Sequence, residues 1–300
     1  MPFEAHTLLQ RSLTSVTQRY SKGDTILYAL GVGAAFGADA WNPHHLRFVY
    51  KTDLQALPTM DAMLGDPGFW MQQCDTGLDW QQLVHAGQSM PWLQPLAAEA
   101  TVTGHNRVTR VKDRGARRGA FFVVQREICD TATGNCLLRS HTSILARGNG
   151  GFSADPGTLV AIGEPAMEPL PTVPDHPTDR VIERPTSTSL PLLYRLSTDL
   201  NRLHVDPKVA RKAGFDRPIM YGMCTYGLMG VLLVCHFCEF DCRRLQQLRR
   251  RFTTPLYPGE TLRCGFWRVG PQIQFRATAM ERQATVLDRG LAYVHQDGFL

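Results

Sequence analysis

Ile273-Gln-Phe275-Arg-Ala277-Thr-Ala279 places an apolar residue at every second position, the period of a strand with one buried face. The same patterning predicts strands over residues 248–253, 261–269, 273–281 and 286–294. All of them follow a long apolar stretch over residues 222–240, in which Gly, Cys, His and Thr interrupt the aliphatic residues. That stretch holds no run of about eighteen apolar positions, so it predicts a buried core helix and not a membrane span. The carboxyl half therefore reads as one helix followed by an antiparallel sheet.

The amino half repeats this order. An apolar segment over residues 57–71 stands where the helix stands in the second half, and strands are predicted over 99–109, 121–129 and 137–146. Phe121-Phe-Val-Val-Gln-Arg-Glu-Ile and Leu138-Arg-Ser-His-Thr-Ser-Ile-Leu are the clearest of these. Proline turns at Trp92-Leu-Gln-Pro95 and Pro255-Leu-Tyr-Pro258 lead into a strand in each half. Between the halves, Pro165, Pro169, Pro171, Pro174 and Pro177 are too dense for a helix or a central strand. The expected organisation is thus a first unit over 1–160, a proline-rich linker over 161–180 and a second unit over 181–300. A sheet apolar on one face must be covered, and a helix lying across it is a stable α+β solution. Two such units can pair their sheets edge to edge and hide the exposed strands.

Composition narrows the classes. The 300 residues are 43% hydrophobic, and Lys plus Arg exceed Asp plus Glu by 32 − 27 = 5. So small and dispersed an excess does not argue for nucleic acid and fits a phosphorylated small molecule better. The densest basic run, Arg249-Arg250-Arg251, reads first as a solvated face and second as a ligand contact. Eight cysteines with no signal-peptide pattern at the amino terminus imply a reducing, cytoplasmic setting. Cys235, Cys238 and Cys242 lie at i, i+3 and i+7, which makes one packed helical stripe and lacks a fourth ligand for zinc, so no metal is expected.

The candidate chemistry lies in Ser197-Thr-Asp199-Leu-Asn201-Arg-Leu-His204, ahead of a helix start at Asp206-Pro207 and a stop at Gly214. On this non-helical segment Asp199 and His204 can share one water, the carboxylate accepting a proton while the imidazole holds or supplies another, with Asn201 orienting what they hold. Taken alone, the same residues also fit an Asx turn and an ordinary polar loop. Gly222 opens the long helix, and its backbone N–H can face a substrate carbonyl or serve close packing. Ser197 lacks the Gly-x-Ser-x-Gly elbow of a serine hydrolase.

Leu196-Ser-Thr-Asp199-Leu-Asn201-Arg-Leu-His204 resembles the hydratase 2 signature Ser-Gly-Asp-x-Asn-Pro-Leu-His of the MaoC-like, (R)-specific enoyl-CoA hydratases. Ala213-Gly-Phe-Asp-Arg-Pro-Ile-Met-Tyr-Gly-Met-Cys-Thr-Tyr-Gly227 and Arg251-Phe-Thr-Thr-Pro-Leu-Tyr-Pro-Gly-Glu-Thr-Leu262 are similar to the family's next two blocks. Asp24-Thr-Ile-Leu-Tyr-Ala-Leu-Gly-Val-Gly-Ala34, Leu57-Pro-Thr59 and Ala146-Arg-Gly-Asn-Gly-Gly-Phe152 resemble the amino half of its two-domain members. The resemblance implies a double hot-dog fold, a long helix wrapped by an antiparallel sheet in each unit. It also implies reversible hydration of trans-2-enoyl-CoA to (3R)-3-hydroxyacyl-CoA, with no cofactor. By motif position Asp199 and His204 become the acid/base pair, Asn201 an orienting residue and Gly222 the donor to the thioester oxygen; Arg202, Tyr221 and Arg251 are this chain's own candidate substrate contacts. The first unit, lacking the dyad, is expected to make room for acyl tails, and the protein to form a homodimer. Thr198, Leu200, Arg202 and Tyr221 stand where the family has Gly, Trp, Pro and His, and His85-Ala-Gly-Gln88 stands for His-Gly-Glu-Gln. A dehydratase using another carrier or an unusual acyl group, and a non-catalytic acyl-thioester binding subunit, remain the alternatives.

Overall fold

The computed structural model of the chain describes residues 3–50, 52–154, 159–197 and 199–295. In chain order its regular elements are α1 (Ala5–Leu9), β1 (Val16–Tyr20), α2 (Lys22–Gly31), β2 (Leu83–Pro91), β3 (Ala100–Asp113), β4 (Ala120–Asp130), β5 (Cys136–Ala146) and β6 (Ala161–Gly163) in the first half. The second half contributes β7 (Arg180–Pro185), α3 (Leu190–Tyr194), α4 (Pro207–Lys212), α5 (Gly222–Phe237), β8 (Leu245–Phe252), β9 (Thr261–Val269), β10 (Gln272–Ala279) and β11 (Ala284–Val294).

The strands form a single 11-stranded sheet in the order β1-β3-β4-β5-β2-β8-β11-β10-β9-β7, with β6 also on β3. Read outward from the β2–β8 seam, the two halves mirror each other: β2-β5-β4-β3-β1 against β8-β11-β10-β9-β7. The seam is antiparallel, pairing Gln88 with Arg250 and Met90 with Leu248, so the expected edge-to-edge joining of two units is what the chain does. Each half thereby satisfies the backbone of the strand that would otherwise be its open edge.

Helix α5 lies against this sheet, and every residue from Cys224 to Cys235 on it is buried. A helix apolar all round cannot face water on any side, so it needs cover from more than the sheet. Cover comes from the first half. Cys224 Sγ donates to the Gly31 carbonyl at the end of α2, and Gly227 and Gly230 let Val32, Tyr28 and Thr59 approach the helix axis closely. Helix α2 itself is fixed by a capping box in which Ser21 and Asp24 satisfy each other's backbone N–H groups. The thiols of Cys235, Cys238 and Cys242 are buried, in keeping with the packing expectation.

Two expectations need correction. Residues 57–71 do not form a long helix; they make short 3-10 turns over Pro58–Met63 and Trp70–Gln72. Pro58, Pro67 and glycines at Gly65 (φ +59°) and Gly68 (φ +74°) break the α-helical path. Gly65 also passes so close to Gly104 that a Cβ there would lie 2.6 Å from its Cα. The arginine run is a solvated face only in part: Arg251 is exposed and Arg249 half-buried, but Leu248, Arg250 and Phe252 share the inner face of β8, and Arg250 is 1% exposed. Among the described residues no helix is long and apolar enough to cross a membrane.

If the α2–α5 crossing holds the halves together, Gly227→Ala should destabilise the protein by about 1–3 kcal/mol, because its Cβ would meet Val32 Cγ1 at 2.3 Å. Chemical denaturation measures this, and an unchanged midpoint would refute the close crossing.

Candidate active site

The site is assembled from the loop between α3 and α4 and the amino end of α5. Asp206 caps α4 by accepting from the N–H groups of Lys208 and Val209, Pro207 opens it, and Gly214 ends it at φ +87°. Asp199 Oδ1 accepts from the N–H of Asn201 at 2.8 Å, and Asn201 Oδ1 accepts from the N–H of Leu203 at 3.0 Å. The second bond caps a single 3-10 turn, Arg202–His204, so His204 ends a short turn where an irregular loop was expected. The Asx turn is thus present, and it takes up one of the two carboxylate oxygens of Asp199. Thr198, whose backbone angle bears on this loop, lies outside the described residues.

His204 is held from two sides. Its Nδ1 lies 2.9 Å from the carbonyl oxygen of Ile219. A carbonyl only accepts, so Nδ1 carries the proton and, in the neutral ring, Nε2 presents its lone pair. The ring stacks on Tyr221 with centroids 3.8 Å apart. Burial pulls the imidazole below its ordinary value, and the Ile219 bond and the charge of Asp199 oppose that only in part. Its neutral form is therefore favoured at neutral pH.

Tyr221 does more than pack. Its hydroxyl donates to the backbone carbonyl of Asp199 at 2.8 Å and approaches that of Asn201 at 3.3 Å. Burial, followed by the nearby charge of Asp199, pushes the phenol up to about 12, so it remains a donor across the working range. The residue after it, Gly222, is the first of α5. A Cβ on Gly222 would lie 2.9 Å from the Phe252 ring, so glycine is required for packing, and the helix end also leaves the first N–H groups without intrahelical acceptors. The packing reading of Gly222 is thus met by the structure, and its N–H stands at a helix end.

Arg202 is largely exposed and pairs with Asp206 at 2.6 Å. Arg251 is exposed on the outer face of β8, opposite Phe252, and is not brought to Gly222. In the first half, His85 Nε2 donates to Gln88 Oε1 at 2.8 Å, and its ring meets Phe252 edge-on. Burial, then the charge of Arg250, drives His85 down to about 4, so it is neutral. Among the described residues no group of three His, Cys, Asp or Glu stands close enough to hold a metal ion.

Residues 170–289 match the MaoC like domain, and residues 18–148 match the MFE-2 hydratase 2 N-terminal domain. Over 95% of its length the chain is 31% identical to the peroxisomal enoyl-CoA hydratase 2 of Arabidopsis thaliana, covering 94% of that protein. The chain belongs to the MaoC-like hydratase 2 family. Another relative, 3-hydroxyacyl-thioester dehydratase Y of Mycobacterium tuberculosis, is 34% identical over 87% of each chain. The crystal structure of a MaoC-like dehydratase from Phytophthora capsici superposes with a TM-score of 0.81 at 27% identity, covering 98% of this chain and 99% of that one. The mirrored halves are thus a double hot-dog, with the hydratase 2 motif on the loop of the second unit.

The Tyr221 hydroxyl ties the loop to α5, so Tyr221→Phe should keep the ring on His204 but lower kcat roughly five- to tenfold, the equivalent of about one hydrogen bond. Steady-state kinetics on the folded variant decide it; an unaltered kcat means that the hydroxyl does not position the dyad.

Proposed function

We propose that the protein catalyses the reversible hydration of trans-2-enoyl-CoA to (3R)-3-hydroxyacyl-CoA, with Asp199 and His204 activating the water. The observation that carries this is the geometry of His204: its Nδ1 lies 2.9 Å from the Ile219 carbonyl, which leaves Nε2 as the base of the neutral ring, within the electrostatic reach of Asp199. In this reading the water lies between the Asp199 carboxylate and Nε2. Its oxygen bonds to the β carbon as the C=C π bond breaks, one of its protons passes to the dyad, and the dyad returns a proton to the α carbon. No net proton is consumed. Electron density moves onto the thioester oxygen as the β carbon is attacked, and the N–H of Gly222 at the positive end of α5 is the group that receives it. Asn201 orients the loop through its cap to Leu203.

Relatives are named in both directions, as a hydratase and as a dehydratase, which suits a reversible reaction whose flux follows concentration. The finer readings belong to the same proposal: acyl-CoA as partner, a homodimer, and a cytoplasmic setting suited to eight free thiols. Sedimentation is expected to give twice the chain mass; a single-chain mass at assay concentration rules the dimer out.

Asp199→Asn and His204→Gln should each lower kcat about 100-fold or more while leaving thermal unfolding nearly unchanged, as befits positioned acid/base groups. The acid limb of kcat/KM should fall below the ordinary imidazole value of 6.5, because burial favours neutral His204 and activity is lost only when that ring protonates. Loss of enoyl-thioester absorbance on mixing is the readout. Near-normal turnover in Asp199→Asn removes that carboxylate from the mechanism.

A further inference from the structure

One helical turn into the protein from Gly222, the structure buries polar groups that nothing satisfies. Arg250 lies over the Phe252 ring at 3.7 Å and over the Tyr226 ring at 4.2 Å, and its Nη2 reaches Met223 Sδ at 3.4 Å. Met223 follows Gly222, and Phe252 is the ring against which Gly222 packs. The guanidinium therefore lies beside the first turn of α5. Its Nε and Nη1 are buried with no hydrogen-bond partner, as are the Tyr226 hydroxyl and Thr59 Oγ1, while the nearby buried Asp61 is met by the Trp92 side chain and the Ala62 backbone. Thr59 packs against Gly230, four residues beyond Tyr226 on the same helix. These groups come from β8, α5 and the first half of the chain, and they meet where the two units join.

Buried polar atoms without partners are rare in native proteins and costly, above all on a charged group. Arg250 makes no ion pair within 4 Å among the described residues, although Asp61 is near enough to act on it through space. Burial draws Arg250 down to about 9, which still leaves it a cation at neutral pH, and pushes Asp61 well up toward its neutral acid. The cation also sits near the positive end of α5, where an anion is favoured and a cation is not. Donors are in excess: the two unpaired arginine nitrogens only donate.

We infer that the acyl group taken by this site carries a carboxylate about 6 Å beyond the thioester carbonyl, held by Arg250 with Tyr226. The length is that of the four residues from Gly222 to Tyr226 along a helix. This rests on the hydratase reading of the site and adds the substrate class to it: a thioester of a dicarboxylic acid in place of a plain fatty acid. Arg250 is a specificity residue in this account, with no part in the acid/base chemistry.

The test compares trans-2-hexenoyl-CoA, its ω-carboxy analogue trans-2-hexenedioyl-CoA, and the methyl ester of the latter. The wild type should show kcat/KM for the diacid at least about tenfold above the alkyl substrate and the ester, as expected for a charge-assisted contact in a buried site. Arg250→Met should reverse the order, and Arg250→Lys should keep part of the preference if the methionine variant does not fold. An alkyl or ester substrate handled as well as the diacid by the wild type overturns the proposal, as does an equal loss on all three in a folded Arg250→Met. Calorimetry with hexanoyl-CoA and adipyl-CoA measures the tail preference without turnover. Discrimination there with no hydration of any tail would retain the acid subsite and reject the hydratase reading; no discrimination with active turnover would do the opposite.

Discussion

Helix α5 is apolar on every side, and most of the structure can be derived from the need to cover it. One side takes the sheet. The others take α2 through Gly31 and Val32, and the 3-10 turn carrying Thr59, both from the other half of the chain. An isolated second half would leave those sides of α5 wet, so the joining of the units is a consequence of helix composition as much as of strand pairing. The small residues Gly227 and Gly230 on α5 are what let the first half come close enough.

The same constraint locates the site. A helix buried along nearly its whole length meets solvent-side loops only at its ends, and the amino end at Gly222 is where the loop with Asp199 and His204 arrives. Tyr221 is the hinge of this arrangement, since one side chain stacks on the imidazole and bonds to the backbone of Asp199. The departure from the histidine usual before Gly222 thus retains a polar donor on a flat ring.

Much of this was legible in the residues. Strand β9 begins and ends where alternation predicts, at Thr261 and Val269, and α5 begins at Gly222 as expected. It stops three residues short of the predicted end, where Glu239 and Phe240 adopt φ of +52° and +61°. The α4 cap at Asp206 was readable because side-chain capping is local. The 57–71 segment was misread because apolar content alone does not distinguish a helix from buried irregular chain, and its prolines and glycines decided the matter. Strand β2 was hidden by His85-Ala-Gly-Gln88, which has no clear alternation and a bulge between His85 and Gly87. The Ile219 carbonyl that fixes the His204 tautomer has no sequence signal, being a backbone group. Arg250 had one: Leu248, Arg250 and Phe252 share a face once 248–253 is taken as a strand, which puts the middle arginine of the run inside.

That arginine run sits on β8, the strand at the seam, and it bears on how the seam finds its alignment during folding. In the native register one guanidinium is inside and Arg249 and Arg251 are outside. A slip of one residue against β2 would turn two cations inward and Leu248 and Phe252 outward, a far more costly core. Three consecutive arginines thus act as a ruler for the chain, making the misaligned pairing of the two halves the electrostatically forbidden one.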